Sequence, residues 1–166
     1  MKDKFKLIGT CKLTEKLDPE TINLKVYEGW RGEFSHNKPS NEPKFGEEVF
    51  FFVSISKSYI SYHDSISLLL SYGLKLPNAY GITIVEPLIL GGLVESSDGS
   101  GKDPFAEKDQ WLLGLDYWEH LPRKFHFGHL VPYTRIDINR EISRCWHQYR
   151  DNVEHNDVIF GFGSSV

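Results

Sequence analysis

The sequence predicts an α+β fold: a mostly antiparallel sheet, one long C-terminal amphipathic helix and room for one short helix, all in a single domain over residues 1–166. Three observations predict it. Short runs with a period of two recur along the chain at irregular intervals, and helical spacing dominates only after Thr134. The composition is globular, with 40% apolar and 25% charged residues. A chain of 166 residues is also long enough to bury roughly 70% of the surface its unfolded form exposes.

Taken in order, Phe5, Leu7, Gly9, Cys11 and Leu13 alternate with polar neighbours and predict a half-buried first strand. Asp18-Pro19-Glu20 marks a turn, and Ile22, Leu24 and Val26 form the inward side of a second strand. A polar loop follows near residues 29–46. Residues 47–55 are apolar on both faces, with Val49, Phe51 and Val53 on one and Phe50 and Phe52 on the other. Such a strand belongs in the middle of a sheet covered on two sides. Residues 63–72 admit a short helix capped by Asp64, burying Leu68, Leu69 and Tyr72 and ended by Gly73.

The β-branched run over 81–96 reads as one or two strands interrupted at Pro87, because proline cannot donate to a ladder. Residues 96–109 form a second polar loop around Ser97-Asp98-Gly99-Ser100-Gly101, and residues 111–118 a further strand. Residues 119–133 read as irregular. Thr134-Arg135-Ile136-Asp137 has the form of a capping box, and Ile138, Ile142, Cys145, Trp146, Tyr149 and Val153 follow at helical spacing. Residues 158–162 close the fold with a short strand.

Charge and cysteine content narrow the function classes. Nineteen basic against 23 acidic residues give a net charge of −4, the wrong sign for a protein that lives on duplex phosphates. Two cysteines, Cys11 and Cys145, without a Cys-x-x-Cys pair argue against a disulfide scaffold or a zinc knuckle. The apolar stretch near Met1 is too short for a signal peptide, and the tract 81–94 is too short to span a bilayer. A cytoplasmic protein with no membrane partner is the expectation.

Three groups of residues are candidates for chemistry or recognition. Asp116, His120, His126 and His129 carry the ligand types of a divalent metal site, in which a bound ion activates water. The bland alternative packs these histidines among Trp118, Phe125 and Phe127. Arg140 and Arg144, with His147, lie on the polar side of the expected helix and form a candidate anion site, against a merely solvated face. Trp30, Arg31, Phe34 and His36 place interface-forming residue types in a polar loop. No Gly-x-Ser-x-Gly elbow and no Walker lysine is present, and Tyr62-His63-Asp64 alone does not make a triad.

Gly91-Gly92-Leu93, Trp111 through Asp116, His120, Gly128-His129-Leu130-Val131-Pro132 and the segment from Thr134 resemble short phage- and prophage-encoded proteins of unknown function. Those carry a Gly-Gly-Ile/Leu strand, then Trp-x-x-Gly-Phe-Asp with a nearby His, then Gly-Asp-Leu-x-Pro and a terminal helix. The resemblance covers about residues 91–153, with Leu115 in place of Phe and His129 in place of Asp. It implies a mobile-element origin, where small acidic binders act on host machinery or defence systems.

With 14% aromatic residues, mild acidity and no complete catalytic motif, the expected activity is non-catalytic binding of a protein partner. That means an inhibitor of a host or anti-phage defence protein, or an immunity protein that neutralises a toxin. Two alternatives stay open. One is a metal-dependent hydrolase on Asp116, His120, His126 and His129. The other is a nucleotide-binding sponge using Arg140 or Arg144. Apart from that divalent metal, no cofactor is expected.

Overall fold

The computed structural model describes residues 1–13, 43–124, 128–148 and 152–166, with Lys124, His147 and Gln148 described by backbone alone. The strand read over 22–26, and nearly all of the loop read near 29–46, lie outside the described residues.

A large, mostly antiparallel sheet dominates. In chain order its strands are β1 (Phe5–Lys12), β2 (Glu48–Ser54), β4 (Glu95–Ser96), β5 (Gln110–Leu113), β6 (Arg123–Lys124), β7 (Gly128–Ile136), β8 (Ile142–Gln148) and β10 (Val158–Gly163). A separate pair joins β3 (Ile60–Ser61) to β9 (Asn152–Val153). Across the sheet the order is β4-β1-β2-β10-β5-β7, and both β6 and β8 also pair with β7. Only β10 and β5 run parallel among the described pairs. Beyond the end of β5, Lys75 pairs with Phe162 and continues that edge of β10.

Among the described residues two α-helices flank the sheet: α1 (Tyr62–Ser71) and α2 (Asn78–Leu90). Neither is long and apolar enough to cross a membrane. β2 shows why both faces need cover. Val49, Phe51 and Val53 pack on the side of α2, with Ile82, Val85 and Ile89, while Phe50 and Phe52 pack on the side of α1, with Ile66 and Leu69. The sheet is therefore a middle layer with a core on each side, as the two-faced apolarity of residues 47–55 requires.

β1 departs from simple alternation. A bulge between Leu7 and Gly9 inserts one residue, so Phe5 and Leu7 face the α1 side while Cys11 and Leu13 face the α2 side. α1 starts one turn earlier than the sequence suggests. Ser61, not Asp64, is the N-cap, its Oγ accepting the Asp64 N–H at 3.1 Å. Gly73, at φ +73°, ends the helix as expected.

Two elements overturn the sequence reading. Residues 78–90 form α2 rather than strands. Eleven of its residues are buried, so no apolar stripe stands out against a polar face. Pro87 is accommodated inside the helix, one turn before the C-cap at Gly91.

The long C-terminal helix does not exist. Residues 128–136 and 142–148 are β7 and β8, paired from Ile136↔Ile142 to Leu130↔Gln148. Asp137, expected in a capping box, instead shapes the hairpin turn. Its Oδ1 accepts from the Asn139 and Glu141 N–H groups at 2.8 and 3.0 Å, and Arg140 takes the left-handed conformation at φ +65°. Ile142 and Trp146 pack on the α2 core while Ser143 and Cys145 are exposed, a period of two. Ile138, placed on the apolar helix face by the sequence, sits exposed in the turn.

The turn before β10 carries a pH-sensitive group. Asp157 is buried, and burial raises its carboxyl to about 6 against the hydrogen bond from the Glu154 N–H, with the Glu154 charge adding to the rise. The unfolded value is about 3.9, so the folded state holds the proton more tightly. The resulting stabilisation is complete below about pH 4 and is lost as pH rises through about 6. Asp157→Asn keeps the acceptor for Glu154 and removes the ionisation. It is expected to stabilise the protein at pH 7 by on the order of 1–3 kcal/mol and to show no such gain at pH 4. Urea unfolding of both proteins at the two pH values measures this.

Candidate functional site

The histidine cluster is realised in part. Gly114 follows β5 and lies directly under α2, where an added Cβ would come within 2.6 Å of the Asn78 carbonyl oxygen. That close approach lets Asn78, at φ +49°, grip the segment after the strand. Its N–H donates to Leu115 O at 3.0 Å, its Oδ1 accepts from Tyr80 N at 2.8 Å, and its Nδ2 reaches Asp116 Oδ2 at 3.4 Å. Asp116 is thus buried, and its Oδ1 also accepts the Tyr117 N–H at 2.8 Å. Burial raises its carboxyl above the ordinary range, opposed by the Tyr117 N–H, His120 and Asn78.

A single 3₁₀ turn, Trp118–His120, carries His120 back over this carboxylate, with Nδ1 3.4 Å from Asp116 Oδ1. The His120 ring stands edge-on to Tyr117 at 5.5 Å. His129, at the start of β7, places Nδ1 3.3 Å from Leu121 O, and its ring meets Trp118 edge-on at 4.2 Å. His126 lies outside the described residues. Among the described residues no three His, Cys, Asp or Glu side chains converge to hold a metal ion. Asp116 and His120 are brought together, while His129 packs against an aromatic.

The two arginines face carboxylates. Arg144 projects from β8 onto α2 and holds Glu86 through Nε, at 3.2 and 3.3 Å from the two carboxylate oxygens, and through a terminal nitrogen at 2.9 Å. Arg140 bonds Asp103 and also donates to Ile89 O at 3.1 Å, near the C-terminal end of α2. Both guanidiniums fasten the hairpin to α2. His147 occupies a β8 position opposite Val131. Trp30, Arg31, Phe34 and His36 all lie outside the described residues.

A different set stands out on the α1 side of β7. Successive side chains alternate, so His129, Val131, Tyr133 and Arg135 share that face, and Val131 belongs to the α1-side core. α1 does not extend its cover to the far end. Trp111 of β5 is 37% exposed, its ring 5.0 Å from Tyr133 and 5.6 Å from the Arg135 guanidinium. Arg135 in turn bonds Asp109 at 2.5 Å. Burial, reinforced by Cys145, pushes the Tyr133 hydroxyl up to about 12. Ser143 and Cys145 of β8 are exposed beside them, and Trp118, 52% exposed, stands at the His129 end with Tyr117. From His129 to Arg135 the strand is about 20 Å long.

Sequence reasoning missed Trp111, Tyr133 and Arg135 as site residues. The signal was the alternation His129, Val131, Tyr133, Arg135, masked by Pro132 and by the helical spacing that begins at Ile138. No protein family, curated protein or solved structure was found that matches this chain.

Proposed function

We propose that this chain is a non-catalytic binding protein whose protein partner docks on the β5–β7–β8 end of the sheet. One observation carries the reading: the sheet face that is covered by α1 near β2 carries exposed Trp111 at its other end, with Tyr133 and Arg135 in contact with it and Trp118 exposed at the far end of β7. Tryptophan, tyrosine and arginine supply most of the binding energy in protein interfaces, because large rigid rings bury area at low entropic cost. Arg135 is already oriented over Trp111 by Asp109, so little order remains to be imposed on docking. The resemblance to phage-encoded proteins supports a host or defence-system protein as the partner, met in the bacterial cytoplasm, with a toxin as the other candidate.

The test pairs binding with stability. Trp111→Ala and Trp118→Ala are each expected to weaken a partner retained from bacterial lysate more than tenfold, about 1.4 kcal/mol. Melting should change little, since both rings are substantially exposed. Undiminished retention by both variants removes this face as the site.

The Asp116–His120 contact favours a second reading, a hydrolase in which the buried carboxylate orients His120 as a base. Phosphodiester or ester turnover by the purified protein, lost in His120→Gln, would replace the binding reading. Stoichiometric metal in protein purified without a tag would extend it to the metal-dependent form. The nucleotide-sponge reading draws no support from Arg140 and Arg144, whose guanidiniums are engaged with Asp103 and Glu86.

A further inference from the structure

Near the starts of β1 and β5 the α2 side of the sheet is covered by the polar loop over residues 96–109, and a cleft of about 390 Å³ lies between loop and sheet. Its floor is sheet. Ile8 and Val53 pack on the α2-side core, Lys6 pairs with Val53, and Gln110 shares the face of Leu112 two residues on. The loop wall is firmly fastened. Ser97 Oγ donates to Leu7 O at 2.6 Å, Phe105 packs edge-on to Phe51, and Asp103 is held by Arg140. The volume falls in the range of small-molecule sites, which are largely formed before their ligands arrive.

Gln110 marks this cleft as a site. It is 2% exposed, and its buried Oε1 has no hydrogen-bond partner among the described residues. Such an acceptor is costly to fold around, and native proteins keep few of them. An entering N–H group would supply the missing donor. The charges add a second requirement. Arg140 already answers Asp103, so Lys6, Lys102 and Lys108 outnumber the remaining acids of the lining, Asp98 and Glu107. Lys6 and Lys102 are exposed at the rim, where an anion would meet them.

We propose that this cleft binds a nucleoside monophosphate, with the base toward Gln110 and the phosphate toward Lys6 and Lys102. Each part of the lining has its counterpart in that ligand. The Watson–Crick edge of every common base carries an N–H donor for Gln110 Oε1. Ile8, Val53 and Pro104 offer apolar surface to the ring, and the Glu107 carboxylate suits the ribose hydroxyls, as acidic residues do in dinucleotide sites. The lysines form charge-assisted bonds to phosphate. A free phosphate would leave the apolar floor uncovered, and a free nucleoside would leave the lysines unused. The cleft lies on the opposite face of the sheet from Trp111 and Tyr133, so the proposal stands apart from the docking of a protein partner.

Calorimetric titration of the full chain with AMP, GMP, CMP and UMP tests it, with inorganic phosphate and the four nucleosides as separate arms. At least one monophosphate is expected to bind with Kd below about 1 mM, at least tenfold tighter than phosphate or its own nucleoside. Gln110→Leu removes the orphaned acceptor, so it should weaken that nucleotide at least tenfold without lowering the melting temperature. Lys6→Gln with Lys102→Gln should weaken the nucleotide and leave the nucleoside unchanged. Both lysines are exposed, so this variant tests the cleft even if leucine is not accommodated at position 110. Trp111→Ala should bind the nucleotide as the wild type does. The proposal is overturned if no monophosphate binds, if phosphate alone binds as tightly, or if the lysine variant keeps full affinity. A folded Gln110→Leu chain with undiminished affinity overturns it too.

Discussion

Arg144→Ala is expected to cost about 3–5 kcal/mol of folding stability, because it strands a carboxylate inside the protein. The Glu86 side chain is 3% exposed and is the one charged residue of α2, and among the described residues its three hydrogen bonds all come from Arg144. Arg144 itself is 25% exposed, so water softens the loss toward the lower end of that range. The cost belongs to the orphaned charge, not to the bridge. Replacing both members together, Glu86→Leu with Arg144→Met, should therefore restore most of the stability or exceed the wild type. Urea unfolding of the single and double variants separates the two. A double variant as unstable as Arg144→Ala would show that the residues matter for packing alone.

Phe51→Ala is expected to lose about 3–5 kcal/mol, the cost of emptying a fully buried aromatic position. Phe51 lies on β2 between two rings, edge-on to Phe105 at 5.2 Å and stacked near Phe160 at 5.8 Å. Phe105 belongs to the loop that leads into β5, and its N–H is held by Asp103, the residue that also binds Arg140. Removing Phe51 thus loosens a ring on the adjacent β10 and a loop tied to the β7–β8 hairpin. The expected signature is a lower denaturation midpoint with an unchanged slope, since the substitution removes packing without altering what unfolding exposes. Phe51→Leu, which keeps more of the volume, should lose markedly less.

Strands were legible where burial imposed its period on one or both faces. Val49 through Val53 announced a central strand because neither face could tolerate water, and Gly73 marked the end of α1 because only a left-handed residue stops a helix there cheaply. α2 was not legible for the converse reason. Ile82, Thr83, Ile84 and Val85 favour strands by propensity, and a helix buried nearly all round has no polar side to reveal its turn. The β7–β8 hairpin was misread because Ile138, Ile142 and Tyr149 fall at spacings compatible with a helix, while the deciding contact, Asp137 with two N–H groups across the turn, is invisible to periodicity. The candidate site suffered likewise. The spacing of Asp116 and His120 suggested proximity and the 3₁₀ turn delivers it, yet nothing in the spacing showed that Trp111 and Tyr133 would meet on an exposed sheet face.

The position of β10 dictates the order in which the protein can be assembled. It is the last strand in chain order and lies between β2 and β5, with Phe51 paired to Phe160 on one side and Leu113 to Ile159 on the other. During synthesis β1 and β2 emerge before it and can zip together, and α1 and α2 follow to cover their faces, but the second edge of β2 has no strand partner among the described residues until β10 arrives. The β5–β7–β8 group likewise waits to be joined. Folding therefore hinges on late, long-range pairings that are slow to form. Until they form, β2 is an apolar edge open to other nascent chains, the state a ribosome-associated chaperone would need to shield.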